Sequence, residues 1–317
     1  MVYKQKAAVL SGIIAALAVV YILTFIFSPE RTGSRSDVYT WLEPDQKDRI
    51  SGITITGGPE TVSLERKQGA WYVSRGGKDY PARQARAEDF IEALAKRAPY
   101  PVWTTSAASH ERLSLTDDAA IRVTVLGGAG PPLLSLLIGQ GDTSGRNVYL
   151  RKQGSNEVRS GEDIFSLYAA SALSSWFNLR LLSDSENLDA ASVQRITVYP
   201  PADFAEAPTQ PQIFTRSGKE WKSNITRLET EQVNAYLRDL LNTEGNDFAD
   251  TVSPSDPLFN NSRIVLELGN GSIRTIRLGP EEDGRRLATV SGSDAVYSVP
   301  AWASQRLFPE TAFFEQE

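Results

Sequence analysis

The sequence has no cysteine and a single histidine, His110. That excludes a disulfide framework, a thiol nucleophile and a thiolate metal centre, and one imidazole cannot assemble a His-rich zinc site. An excess of positive charge is also missing: 33 Lys and Arg face 39 Asp and Glu, a formal net charge of −6. A nucleic-acid binder needs a basic footprint, so that class falls away. Long apolar runs are missing too, with one exception near the amino terminus. Hydrophobic residues are 41% and charged residues 23% of 317 positions, so the chain is neither disordered nor polytopic. Its length suits about two folded units.

The exception is Ala7–Phe27, AAVLSGIIAALAVVYILTFIF, 21 residues without a charge. As a helix this run would be about 30 Å long, the thickness of a bilayer's hydrocarbon core. It exceeds the apolar core of a signal peptide, and no small-x-small cleavage pattern follows Phe27, so an uncleaved signal anchor is expected. Two basic residues before the run (Lys4, Lys6) balance two after it (Arg31, Arg35), so flanking charge barely orients it. The short leading tail favours a cytoplasmic amino terminus at the bacterial inner membrane, with the bulk of the chain periplasmic. Residues 28–45 read as a polar tether in which Tyr39, Trp41 and Leu42 are free to dock.

Past the tether the sequence repeats itself. Ile50–Ile55 resembles Val193–Val198, and Gln68–Tyr72 resembles Ser217–Lys222, each a Gly turn leading into a Trp-bearing strand. Ala87–Leu94 resembles Thr230–Leu237, Leu136–Gly139 resembles Ile276–Gly279, and Gly154–Val158 resembles Gly292–Val296. The five pairs keep one order at separations of 138 to 150 positions, which points to tandem duplication. Within the first copy, apolar alternation predicts strands at Ile53–Thr56, Val62–Arg66, Ala70–Ser74, Ile121–Leu126, Leu133–Ile138 and Val148–Arg151. A helix is predicted near Ala87–Arg97, with Phe90, Ile91 and Leu94 on one face. A second is predicted to start at Ser160–Asp163 and to bury Ile164, Leu167 and Tyr168. The expected fold class is therefore α+β. An N-terminal tail and transmembrane helix (1–27) and the tether (28–45) precede two tandem, repeat-related antiparallel sheet-plus-helix modules, 46–185 and 186–317.

The order of these motifs, closed by Trp176-Phe-Asn-Leu-Arg-Leu-Leu182 before the second copy, resembles the bacterial family known as domain of unknown function 4340. The resemblance covers roughly residues 45 to 317 and rests on the order, since each motif alone is weak. It implies single-span envelope proteins, often associated with auxiliary components of gliding-type ABC transporters. It implies no catalytic residues. In the second copy the Val-Tyr strand has become Leu287-Ala-Thr-Val290.

Charge separates the copies. Residues 41–185 balance at 17 of each sign, whereas residues 186–317 carry 12 Lys and Arg against 20 Asp and Glu, a net of −8. No segment carries a recognisable chemistry. His110 lies in a loop without a G-x-S-x-G elbow elsewhere, and reads as a surface residue. The glycines of Gly139–Gly145 and Gly127–Gly130 precede strands, not helices, so neither cradles a phosphate. The acidic clusters Asp184–Asp189 and Glu281–Gly284 lack the spacing of a calcium loop. Trp71, Trp103, Trp176 and Trp221 could stack sugars, but Trp71 and Trp221 are repeat-equivalent and read as core. The expectation is thus a non-enzymatic, membrane-anchored accessory or scaffold subunit. Its tandem modules bind protein partners of a membrane complex, of ABC-transporter type or another large assembly. No catalytic, cofactor-binding or metal residues are assigned, no cofactor is expected, and nucleic acid is not a partner. An envelope glycan- or lipid-binding module is the alternative, and a hydrolase the least favoured reading.

Overall fold

The computed structural model describes residues 38–182, 188–203, 210–223 and 228–308. They divide into two compact units. One runs up to Gly77 and resumes at Arg83–Trp176. The other holds Lys78–Ala82 and everything from Phe177 on.

The strands of the first unit are β1 (Val38–Tyr39), β2 (Gly52–Thr56), β3 (Val62–Lys67), β4 (Ala70–Arg75), β6 (Ala98–Pro99), β7 (Val102–Thr104), β8 (Ile121–Leu126), β9 (Leu134–Gly141), β10 (Asn147–Lys152) and β11 (Val158–Glu162). The intervening β5 (Lys78–Pro81) belongs to the other unit. Within this unit the antiparallel sheet runs β4-β3-β2-β8-β9-β10-β11-β7. Register places Val73, Leu64, Ile53, Val125 and Leu134 in one row across it, and all five are buried. Strand residues alternate between faces, so this row defines the inner face. Helix α1 (Gln84–Ala95) covers it with Phe90, Ile91 and Leu94, each at most 3% exposed. Full burial of such side chains stabilises by about 1.5–3 kcal/mol apiece. The opposite face, at Leu137, Tyr149 and Val158, is covered by Leu113, Leu115 and Ala120 of an irregular segment. That segment comes close because Gly139 has no side chain: a Cβ there would lie 2.3 Å from the Leu113 carbonyl oxygen.

The second unit repeats this plan with β12 (Val193–Tyr199), β13 (Gln212–Ser217), β14 (Glu220–Ser223), β15 (Asp247–Phe248), β16 (Ser262–Leu268), β17 (Ile273–Glu282), β18 (Arg285–Val290) and β19 (Val296–Pro300). Its sheet order, β14-β13-β12-β16-β17-β18-β19-β15, matches the first strand for strand. The helix on its inner face, numbered α3 (Thr230–Leu241), buries Val233, Tyr236, Leu237 and Leu240. Gly279 stands where Gly139 does, and a Cβ there would lie 2.5 Å from Leu258 Cδ1. The tryptophans of β4 and β14 hold the helices in the same way. Trp71 Nε1 donates to Glu88 Oε1 (2.8 Å) and Trp221 Nε1 donates to Asn234 Oδ1 (3.1 Å). The directly opposed Arg66 and Arg216 lie over the two indoles at 5.8 and 4.8 Å.

Several expectations are corrected. The α+β class gives way, among the described residues, to a mostly β architecture of three antiparallel sheets, the third being the small β1-β6 pair, with only two helices of twelve residues. The helix read into Ser160–Asp163 is strand β11, because Ser160 is paired with Tyr149 in the sheet. Only a four-residue helix, α2 (Ser166–Ala169), follows, its Ser166 N–H bonded to Asp163 Oδ1 at 3.2 Å. It buries Phe165 and Ala169 and leaves Leu167 70% exposed, so the stripe of Ile164, Leu167 and Tyr168 does not form. The corresponding α4 (Ala301–Gln305) has five residues. Among the described residues no helix is long and apolar enough to cross a membrane, so the transmembrane, single-pass anchor has no helix there to carry it. The run Ala7–Phe27 itself lies outside the described residues.

The tether docks from Val38 onward. Val38 and Tyr39 pair with Pro99 and Ala98, the Leu42 N–H donates to the Leu94 carbonyl (3.0 Å), and Trp41 packs edge-on against Tyr100 at 5.4 Å.

Candidate functional site

The two sheets end differently at matching positions. The hairpins β10–β11 and β18–β19 share a register, with Asn147 opposite Glu162 in one and Arg285 opposite Pro300 in the other. Arg159 therefore corresponds to Tyr297. Val102 of β7 opposes Arg159, and Phe248 of β15 opposes Tyr297, so Val102 and Phe248 occupy the same place.

In the second unit this edge is covered. Tyr80 of β5 stacks on Phe248 at 4.5 Å, and Phe177 closes the cluster edge-on at 5.2 Å from Phe248. The Tyr80 hydroxyl donates to Asp250 Oδ1, and Lys78 Nζ donates to the Asp250 carbonyl oxygen (3.1 Å). The Phe248 N–H is taken by the Asp247 carboxylate at 2.8 Å. These devices blunt a strand edge.

In the first unit the edge stands bare. β7 is the last strand of its order, as β15 is of the other, but its side chains are uncovered. Val102 is 40% and Trp103 57% exposed; Trp103 rests one side on Tyr149, with ring centroids 5.3 Å apart. Val38, 62% exposed, sits opposite Pro99, three residues upstream of Val102. An open edge with apolar side chains on both faces is an unusual surface for a folded sheet to leave in water.

The residues that sequence reasoning singled out do not gather. His110 is buried, not on the surface: it ends a short 3-10 turn, and its Nε2 lies 3.3 Å from the Asn156 carbonyl oxygen. Trp71, Trp176 and Trp221 are fully buried, which leaves only Trp103 of the four able to stack on a ligand. Glu281–Gly284 is a tight hairpin turn, with Asp283 and Gly284 at φ of 51° and 72°. Glu281 and the neighbouring Asp203 bond to the buried Arg286, at 3.5 and 2.8 Å. Burial pushes the Asp203 carboxyl up, but the bonds from Arg286 and the Glu281 N–H outweigh it, and its pKa ends below the usual value. The cluster Asp184–Asp189 lies mostly outside the described residues. Among the described residues no three acidic or histidine side chains converge as a metal site would need.

The Gly139–Gly145 loop closes on its own carboxylate. Asp142 Oδ1 accepts from the Ser144 hydroxyl (2.7 Å) and N–H (3.1 Å), and from the Arg146 and Asn147 N–H groups (both 3.3 Å); Asn147 Nδ2 donates to Oδ2 (2.9 Å). The amides a phosphate would use are already taken. These bonds, those from Ser144 and Asn147 foremost, hold the Asp142 carboxyl down to about 2. A depressed folded pKa stabilises above the unfolded value and is lost as pH falls through the folded one. The expected result is a loop that loosens only between about pH 4 and pH 2. Amide exchange at Ser144, Arg146 and Asn147, followed by NMR, checks it: Asp142→Ala should speed exchange at pH 7, and unchanged rates refute it.

Sequence reasoning missed two exposed apolar features. Val102 and Trp103 lie in a three-residue strand, too short to show alternation. Trp302, 63% exposed beside a cavity of about 320 Å³ near Leu240 and Leu307, lies in a helix too short to show a helical period.

A comparison with protein families matches residues 71–260 to the one described as domain of unknown function (DUF4340). No curated protein and no solved structure matches the chain.

Proposed function

The chain belongs to the family of domain of unknown function 4340, and on that premise we propose that it is a non-enzymatic accessory subunit that binds protein partners of a larger membrane complex. One observation carries the reading: at the β7 edge Val102 and Trp103 are exposed, whereas Phe248, which matches Val102 at the β15 edge, is buried under Tyr80 and Phe177. Exposed aromatic side chains on a rigid scaffold are typical anchors of protein interfaces. A strand edge adds main-chain hydrogen bonds to them. Placement of the units outside the cytoplasm is part of the proposal and rests on the sequence alone; a reporter fused at the carboxyl terminus tests it.

The main test is site-specific crosslinking in cells. A photoreactive phenylalanine analogue replaces Trp103 in the full chain, and a second variant carries it at Lys219, an exposed turn position. A discrete adduct is expected from position 103 and none from 219. Adducts of equal yield from both positions, or none from 103, contradict the proposal.

A further inference from the structure

We propose that the cavity between α3 and α4 of the second unit receives an aromatic side chain carried on a basic segment of a partner protein. This site lies in the other unit from the β7 edge and goes beyond the reading above.

The first unit shows what the cavity lacks. Glu162 and Pro300 hold the same register position in the two hairpins, so Phe165 matches Ala303 and Ala169 matches Leu307. All four of these matched residues after the hairpins are buried. The Phe165 ring stacks on Tyr100, with centroids 6.4 Å apart. Tyr100 precedes Val102 by two residues, as Asn246 precedes Phe248, so Asn246 is its match. The second unit therefore has neither ring. The room of one is taken up. A Cβ on Gly161 would lie 2.1 Å from Tyr100 Cδ1, and the residue matching Gly161 is the buried Val299. The room of the other stays open as a cavity of about 320 Å³, lined by Ala303 and by the buried Leu240 and Leu307. Ligand sites run from about 300 to 1,000 Å³, so this one suits a single ring rather than a cofactor.

The rim selects the charge. Trp302 stands exposed beside the cavity, with the Arg306 guanidinium 5.4 Å from its ring centroid. Trp and Arg next to a pocket are the side chains that anchor protein interfaces. Asp239 and Glu244, both exposed, line the same cavity, two carboxylates against one guanidinium. Asn242, which ends α3, lines it too, and a helix carries partial negative charge at that end. The unit around it holds the acidity of the chain: residues 186–317 carry a net charge of −8. A basic segment gains from this field and an acidic one is repelled.

The full chain is titrated with three labelled nonapeptides, read by fluorescence anisotropy: a central Phe flanked by Lys and Gly, the same peptide with Glu for Lys, and the Lys peptide with Ala for Phe. The Phe–Lys peptide is expected to bind at least tenfold tighter than either of the others. Ala303→Phe puts back the ring that the first unit has, and should weaken binding at least tenfold without lowering the thermal midpoint. Should that variant unfold, Trp302→Ala and Asp239→Lys decide instead: both positions are exposed, and each should weaken the Phe–Lys peptide at least tenfold with the far-UV spectrum unchanged. Trp103→Ala should leave it as tight as before. Equal binding of the Ala peptide overturns insertion of a ring, and equal binding of the Glu peptide overturns the basic preference. Undiminished binding to folded Ala303→Phe, or no binding of any peptide, overturns the site. A dimer in sedimentation that Ala303→Phe dissolves would give the cavity to a second copy. Binding that appears only after residues 309–317 are removed would give it to the chain's own Phe313 or Phe314. Either result also overturns the proposal. The crosslink from position 103 is read separately, so the partner-binding reading stands or falls on its own.

Discussion

Trp71→Ala is expected to destabilise the first unit by about 3–5 kcal/mol, the range for emptying a fully buried large aromatic site. Trp71 has no exposed surface and does three things at once. Its ring fills the space between β4 and α1. Its Nε1 satisfies Glu88, and its backbone N–H and carbonyl are clasped by Gln84, through Oε1 at 2.8 Å and Nε2 at 3.0 Å. The guanidinium of Arg66 lies over the indole. Trp71→Phe keeps most of the volume and loses only the bond to Glu88, whose carboxylate is half exposed and still faces Arg66, so a smaller loss of about 1 kcal/mol is expected. Trp221→Ala should act on the second unit in the same way. Urea unfolding with amide exchange resolved by unit is the measurement. A loss below about 1 kcal/mol for Trp71→Ala would show that the ring does not seat the helix.

Gly139→Ala should be nearly as damaging, and more so than Gly279→Ala. A methyl at 139 meets the Leu113 carbonyl oxygen at 2.3 Å and Leu115 Cγ at 2.8 Å. The first is backbone, and the Gln140 N–H donates to that same carbonyl, so the crossing segment must lift as a whole. Overpacking of that kind costs about 1–3 kcal/mol or more. At 279 the close atom is the tip of Leu258, which can rotate, and the nearest backbone atom is the Leu287 oxygen at 3.7 Å. Thermal unfolding of both variants decides it. Equal shifts would mean that the two crossings are held with the same rigidity, contrary to the contacts described.

The strands β2, β3, β4 and β8 were readable because buried and more exposed residues alternate along them between clear turns. Ile53–Thr56 and Ile121–Leu126 emerge within a residue or two of β2 and β8, and the helix near Ala87 begins one turn earlier, at Gln84. Ser160–Asp163 misled because a Ser followed by an acid three residues on is a helix-start pattern. Its residues are nevertheless committed to β10 by pairing that no local window contains. His110 looked exposed for a similar reason: its neighbours are polar, and its burial comes from Asn156, 46 positions away. The candidate interaction edge was the least legible part. Nothing in Val102-Trp103-Thr104 announces a terminal strand, and its bareness is visible only beside the covered strand at the same place in the other sheet. The charge count was informative but coarse. It located the acidity in the second half.

The five residues Lys78–Ala82 have a consequence for biosynthesis. They leave the ribosome in the middle of the first unit's sequence, yet their packing partners Phe177, Phe248 and Asp250 are translated about 100 to 170 positions later, several seconds or more at ordinary elongation rates. For that interval Tyr80 waits without its stacking ring. No single cut in the chain releases both halves whole, since any fragment ending near Trp176 carries away a piece of its neighbour.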